Sequence, residues 1–311
     1  MKTQRSCEIS LCAALSLCAF VVKSIMKLKQ SELTKRKVIP SHSLLICFIL
    51  TLLSFFNVPY VIAQQDSTTS SSNVFVQDTR SALNDAGTII TAPLHFSDED
   101  WIKTAAVIGG TALCFTVDGS VRTFMLRQQS ATGDNLANIG HQYGSGLNAV
   151  LFSGGLYAGG LIAGNESVRK TGVMTFESVA LAGGTTVVLK MILGRSRPYT
   201  EEGTVKFRGF QTDDAHLSMP SGHTTVAFAL SSVLAGRIRN TAASIVLYSL
   251  AALTATSRMY DDEHWLSDTF LGAAIGTTVG LSVLHLHSEE SKESSLRLVP
   301  KAQGVGIAYV F

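Results

Sequence analysis

Six apolar segments of helical length, at roughly residues 99–117, 145–164, 171–193, 222–238, 241–257 and 266–287, fill most of the chain beyond residue 98. They are rich in Ala, Gly, Ser and Thr, the small residues that let helices pack closely. No two-residue alternation competes with the helical period inside them. The expected fold is therefore all-α, a bundle of six helices. Segments of about 16–22 residues stand at or below the length that crosses a bilayer, and Asp118, Glu177 and Lys190 fall within or beside them. Membrane association is expected, and Glu177 is expected to pair with a cation in the core.

Past the last segment, Leu296 to Val299 and Val305 to Phe311 flank Lys301 to Gly304. They read as a short β-hairpin or as a tail packed on the bundle. The tail is preferred, because lone hairpins are marginal.

The N-terminal part has a different composition. Lys35-Arg36-Lys37 precede an apolar run from Leu44 to Phe56, and Val61-Ile62-Ala63 supplies small or apolar residues ahead of a polar, Ser/Thr-rich stretch. This is the layout of a secretory signal and linker, with an uncleaved signal anchor as the alternative. A second apolar run, Ile9 to Val22, leaves Met1 and Met26 both open as starts. The expected organisation is a leader over 1–63, a linker and approach segment over 64–98, a helical core over 99–287 and a tail over 288–311. Ser97, followed by Asp98, Glu99 and Asp100, is a helix N-cap with acids in the first turn.

Residues 1–63 hold eight of the 25 basic and two of the 23 acidic residues, leaving 17 against 21 in the body. A body with net negative charge lacks the electrostatic footing for nucleic acid. Four of five cysteines (Cys7, Cys12, Cys18 and Cys47) lie in the leader, so only Cys114 remains and no disulfide framework is expected.

Three stretches carry the chemistry. Lys190 and Arg197-Pro198, with six residues between them, stand at the end of the third core segment, where a compact charge and a planar fork suit phosphate oxygens. Pro220-Ser221-Gly222-His223 opens the fourth, with Ser221 as N-cap and Gly222 admitting an anion to the helix start. Ser257-Arg258 closes the fifth, and His264 and Asp268, four apart, share a face at the start of the sixth. A carboxylate holding one imidazole nitrogen leaves the other free as a nucleophile. In an up-down bundle these segment ends all fall on one side, so the stretches converge on one pocket. The run Asp261-Asp262-Glu263 before His264 is expected to point to solvent. No Cys/His or carboxylate cluster in the sequence suggests a metal, and no cofactor is called for.

In these three stretches the chain resembles the type 2 phosphatidic acid phosphatase superfamily, which also includes bacterial class A acid phosphatases and vanadium haloperoxidases. The signature is Lys, six residues, Arg-Pro; then Pro-Ser-Gly-His; then Ser-Arg, five residues, His, three residues, Asp. Each part is matched in full, and the resemblance covers about residues 100–287. It implies that bundle type, with His264 as a nucleophile forming a phospho-histidine and Asp268 orienting it. It further implies His223 as the acid for the leaving group, with Lys190, Arg197, Ser221, Gly222 and Arg258 binding the phosphoryl oxygens. Preplaced cations and N–H groups suit phosphoryl transfer without a metal.

The leading expectation is a cell-envelope phosphatase acting on a lipid phosphate or diphosphate, membrane-associated, with its site on the extracytoplasmic side. A cleaved signal followed by six full spans would instead place the site in the cytoplasm. The site's side thus depends on whether the first helix crosses. The alternatives are a secreted acid phosphatase on soluble esters, a vanadate-dependent haloperoxidase, and a non-catalytic envelope component docking through its tail.

Overall fold

In the computed structural model, Ser97 caps its helix as its sequence context dictates. Its side chain accepts from Asp100 N while the Asp100 carboxylate accepts from Ser97 N, a reciprocal capping box. The helix it starts is 30 residues long. The structure describes residues 71–293, 296–301 and 304–309, all within one compact unit, Leu52–Phe311. The expected signal, its cleavage site and the choice of start lie outside the described residues.

Eight α-helices occur among the described residues: α1 Ser71–Thr91, α2 Asp98–Arg127, α3 Ala131–Gly144, α4 Gly146–Ile162, α5 Glu166–Leu193, α6 Gly222–Ile238, α7 Thr241–Tyr260 and α8 Leu266–Glu293. The expected six are α2 and α4 to α8. The additional α1 and α3 are more polar. Asp78 joins α1 to the bundle, accepting from Tyr157 Oη at 3.1 Å and pairing with Arg169. The C-terminal segment forms the hairpin rather than the preferred tail: β1 Leu296–Lys301 pairs antiparallel with β2 Gly304–Tyr309, Leu296 opposite Tyr309 and Lys301 opposite Gly304.

Among the described residues, three helices are long and apolar enough to cross a membrane: α2, α5 and residues Leu266–Ser288 of α8. The pair α3 and α4, bent by 54°, would make a fourth span if taken as one. α2 exceeds its sequence-based length because Asp118 does not end the helix; it sits fully buried in α2 and is neutralised there. Ile102, Ile108, Leu113 and Phe124 on α2, with Val187 and Val188 on α5, face outward as lipid-exposed surface requires.

A glycine stripe sets α8 against α6. A Cβ at Gly272 would lie 2.7 Å from Ser221 O, one at Gly280 would lie 2.8 Å from Ser232 Cβ, and one at Gly276 would collide with Thr225 O. Small residues four apart allow this backbone approach. It places the base of α8 directly against the mouth of α6.

Candidate active site

Two left-handed turns aim the site's side chains. At the end of α5, Gly194 takes φ 58° and its N–H returns to Lys190 O at 2.9 Å, a helix stop that glycine adopts without strain. The chain after it runs inward, and Arg195 is completely buried. At the end of α7, Asp262 takes φ 57°, which a short polar side chain tolerates. Glu263 N and His264 N then both donate to Arg258 O, at 3.1 and 3.2 Å, so the chain folds back on the helix it has just left.

The ends of α5 and α7 and the starts of α6 and α8 thus meet on one side, as the up-down argument requires. Ser221 N donates to Asp268 O at 3.0 Å, Trp265 Nε1 donates to Ser196 O at 3.0 Å, and Lys190 Nζ reaches Leu217 O and Ser218 O. Lys190, Arg197, Ser221, Gly222, His223, Arg258, His264 and Asp268 are all brought together here. Ser221 occupies the N-cap position, but its Oγ receives Thr224 Oγ1 at 3.0 Å rather than a backbone N–H. The space before Gly222 faces Lys190, whose Cε would lie 3.8 Å from an added Cβ.

His264 Nδ1 lies 3.6 Å from Asp268 Oδ2, within ion-pair range but beyond a hydrogen bond. Asp268 Oδ2 accepts instead from Ser218 Oγ at 2.6 Å and Trp265 N at 2.8 Å. Among the described residues, buried His264 Nδ1 and Arg258 Nε have no hydrogen-bond partner. Burial holds the His264 imidazole down to about 3, reinforced by the positive charge of Lys190 and opposed by Asp268. His223 is likewise held down to about 3, first by burial and then by Arg258, His141, Lys190 and Arg197. The two rings therefore sit in the field of the same cations, Lys190 and Arg197.

The acidic run does not point freely to solvent. Asp262 binds Arg122 in a fork at 2.7 and 2.8 Å, Asp261 binds Arg258 Nη1 at 2.9 Å, and Glu263 pairs with Arg197 and stands 3.9 Å from Arg258 Nη2. Clustered guanidinium groups need counter-charges when partly buried, and these carboxylates supply them. Asp214 adds another, accepting from Arg197 Nη2 at 2.7 Å.

Sequence reasoning missed three partners. Arg195, inside the first stretch, donates to Asp268 Oδ1 at 2.5 Å, Ser267 Oγ at 2.7 Å and Asp118 Oδ2 at 2.8 Å. Asp118 in turn accepts from Ser267 N and Oγ, at 2.9 and 2.6 Å. His141 on α3 stacks on His223. A buried Arg two residues before Arg197 and an Asp within an apolar helix were the available signals for the first two. Glu177, expected to meet a core cation, lies 3.1 Å from His287 Nε2, with Asp85 beside it. Their ligand-type atoms fall within 4.8 Å of one another, a cluster that residues on three separate helices hide from the sequence.

Residues 172–292, which include all eight site positions, match the PAP2 superfamily. The chain is also similar to a lipid A 1-phosphatase of Porphyromonas gingivalis, 29% identical over 176 residues covering 56% of this chain and 36% of that protein. A PA-phosphatase related-family protein of Dictyostelium discoideum is 33% identical over 129 residues, 36% of this chain and 47% of that one. The chain thus spans between about a third and a half of the length of these curated relatives. Among solved structures, Aquifex aeolicus LpxE aligns with a TM-score of 0.41 at 24% identity, covering 54% of this chain and 95% of that chain. A PAP2 type phosphatidylglycerolphosphate phosphatase from Bacillus subtilis aligns with a TM-score of 0.43 at 18% identity, covering 69% and 96%.

Proposed function

We propose that this PAP2 protein is a membrane phosphatase that hydrolyses a lipid phosphate through a phospho-histidine on His264. The observation that carries the reading is a buried and a half-buried imidazole on adjacent helix ends under the same cations, the buried one backed by Asp268. His264 is neutral at ordinary pH, so Nε2 keeps its lone pair while Nδ1 faces the Asp268 carboxylate. Nε2 attacks phosphorus, the bond from phosphorus to the leaving oxygen breaks, and that oxygen takes the His223 proton. Water then attacks the phospho-histidine, His223 accepts its proton, and phosphate leaves with His264 restored.

Lys190, Arg197 and Arg258, with the Ser221–Gly222 turn, bind the phosphoryl oxygens and stabilise the charge that shifts between them. The buried Arg258 Nε has a donor to give such an oxygen. This cationic set does the work otherwise given to a metal, so none is needed. A phosphate dianion among these cations offsets the charge that holds His223 down, and the acid gains its proton as substrate binds.

The lipid is inferred from the apolar, lipid-facing exterior and from the name of the Porphyromonas gingivalis relative, a lipid A 1-phosphatase. A site on the extracytoplasmic side of the cell envelope follows from a cleaved leader only if α2 does not cross the bilayer. Phosphate release by the full chain in detergent with chelator present tests the reading. Lipid phosphates are set beside a soluble aryl phosphate, with His264→Ala as control and alkaline quenching to preserve the acid-labile, base-stable phospho-histidine. Lipid turnover lost in the mutant is expected. Turnover of the soluble ester alone would favour the acid phosphatase alternative.

A further inference from the structure

The polar helix α3 carries a side chain that touches both the proposed acid and a proposed phosphate-binding cation. Gly140 and Gly144 flank His141 on this helix. A Cβ at Gly140 would lie 2.7 Å from Leu253 O on α7, and one at Gly144 would lie 2.7 Å from His223 O on α6. The helix is thus held at backbone contact with both elements. Thr254 Oγ1 donates to Gly140 O at 2.8 Å, and Tyr260 Oη donates to Asp134 Oδ1 at 2.8 Å while accepting Ser130 N at 2.9 Å. These bonds tie α3 along the last turns of α7, the part that carries Arg258.

His141 fills the gap this leaves. Its ring centroid is 4.5 Å from that of His223, with 33° between the planes, and its Nδ1 is 2.9 Å from Arg258 Nη1. A guanidinium only donates, so Nδ1 accepts and carries no proton. Two stacked imidazolium rings beside an arginine would repel one another strongly. Asp261, on the same Arg258 nitrogen at 2.9 Å, and Glu263, 3.9 Å from its other one, are the anions that face this group.

Resting on the phosphatase reading, we infer that His141 is a positioning residue for the acid step. By accepting from Arg258 it stays neutral, holds that guanidinium in place, and leaves His223 as the ring that carries the proton. The proton's path is unchanged: it passes from His223 to the leaving oxygen, and His141 neither gains nor loses one.

The test uses the full chain in detergent with two esters, an alkyl phosphate whose leaving group needs protonation and 4-nitrophenyl phosphate, whose leaving group hardly does. His141→Phe keeps a ring against His223 but removes the acceptor. Its kcat on the alkyl ester is expected to fall roughly 100-fold, with a loss of less than about tenfold on the aryl ester. His141→Asn places an amide oxygen near the position of Nδ1 and is expected to recover most of the alkyl activity. If His141→Phe does not fold, His141→Leu replaces it with the same expectation. Equal losses on both esters, or an Asn variant no better than Phe, would overturn the inference while leaving the phosphatase reading intact. The alkyl ester is a lipid phosphate, so a wild-type chain inactive on both esters would overturn the reading itself, and the inference with it.

Discussion

Arg195 and Asp268 form an ion pair of 2.5 Å with both side chains shut off from solvent. The same guanidinium reaches Asp118 at 2.8 Å and lies over the Phe115 ring, 4.2 Å from its centroid. One cation thus faces two buried carboxylates, and Ser218, Ser267 and the Trp265 N–H complete the shell. The network ties α2 to α8 and fixes the carboxylate that backs His264. Glycine at 194 and the buried cation at 195 therefore serve the same end, delivering a rigid support from behind the site.

Arg195→Met is expected to leave Asp118 and Asp268 without their counter-charge. Breaking a buried pair from one side costs about 3–5 kcal/mol. Arg195→Lys is expected to recover little, since a single ammonium cannot replace a fork that reaches both carboxylates. Thermal unfolding in detergent checks both, and a stable Arg195→Lys variant would show that charge alone suffices.

Asp268→Asn keeps the side chain's size but removes the anion behind His264 Nδ1. A wrongly set imidazole and an uncompensated Arg195 follow, so kcat is expected to fall by about 100-fold or more. Stopped-time phosphate release checks this. An unchanged KM beside the lowered kcat would mark the loss as one of transition-state support.

The three site stretches were legible because phosphate chemistry needs charged and polar groups that an apolar bundle otherwise excludes. Each of Lys190, Arg197, His223, Arg258, His264 and Asp268 stands out for that reason, and helix order alone predicted their convergence. Helix α3 was not legible as part of the core, since its buried positions are Ala137, Gly140, Tyr143 and Gly144, which form too small an apolar stripe to stand out. Its role comes from closeness, not hydrophobicity. Asp262 and Glu263 were misjudged because their partners Arg122 and Arg197 lie 140 and 66 residues away. A tertiary pairing of that kind leaves no local pattern.

Glu263 shares its carboxylate between Arg197 and the neighbourhood of Arg258. Its charge competes with any phosphate these arginines bind. Glu263→Gln is expected to lower the inhibition constant of inorganic phosphate several-fold, roughly the effect of removing one partly screened like charge. A raised constant would show instead that Glu263 braces the arginines more than it competes with the anion.

His223 and His264 are held to about 3 in the folded chain, against about 6.5 for a free histidine. Between those values the unfolded chain binds more protons than the folded one, so stability falls as pH drops from 6.5 towards 3. Above 6.5 both forms are neutral and these groups contribute no slope. The unfolding midpoint is expected to be lower at pH 5 than at pH 7, and His223→Ala to narrow that difference. An equal difference in the variant would mean that other groups set the acid limb.

The glycine stripe on α8 separates position from composition. At Gly276 an added side chain would drive into Thr225 O and, at 2.9 Å, Ala229 N, both backbone atoms of α6 that cannot step aside. At Gly155 on α4 nothing lies within 4 Å of an added Cβ. Gly276→Leu must push α8 away from α6, and with it His264 and Asp268 from Ser221 and His223. A misplacement of this order at reacting groups costs about 100-fold in rate. Gly155→Leu adds the same side chain to a comparable apolar helix and is expected to keep wild-type turnover. Both variants should enter the membrane, so yield in the membrane fraction beside phosphate release separates insertion from geometry. Equal activity in the two would show that α8 does not set the site through its contact with α6.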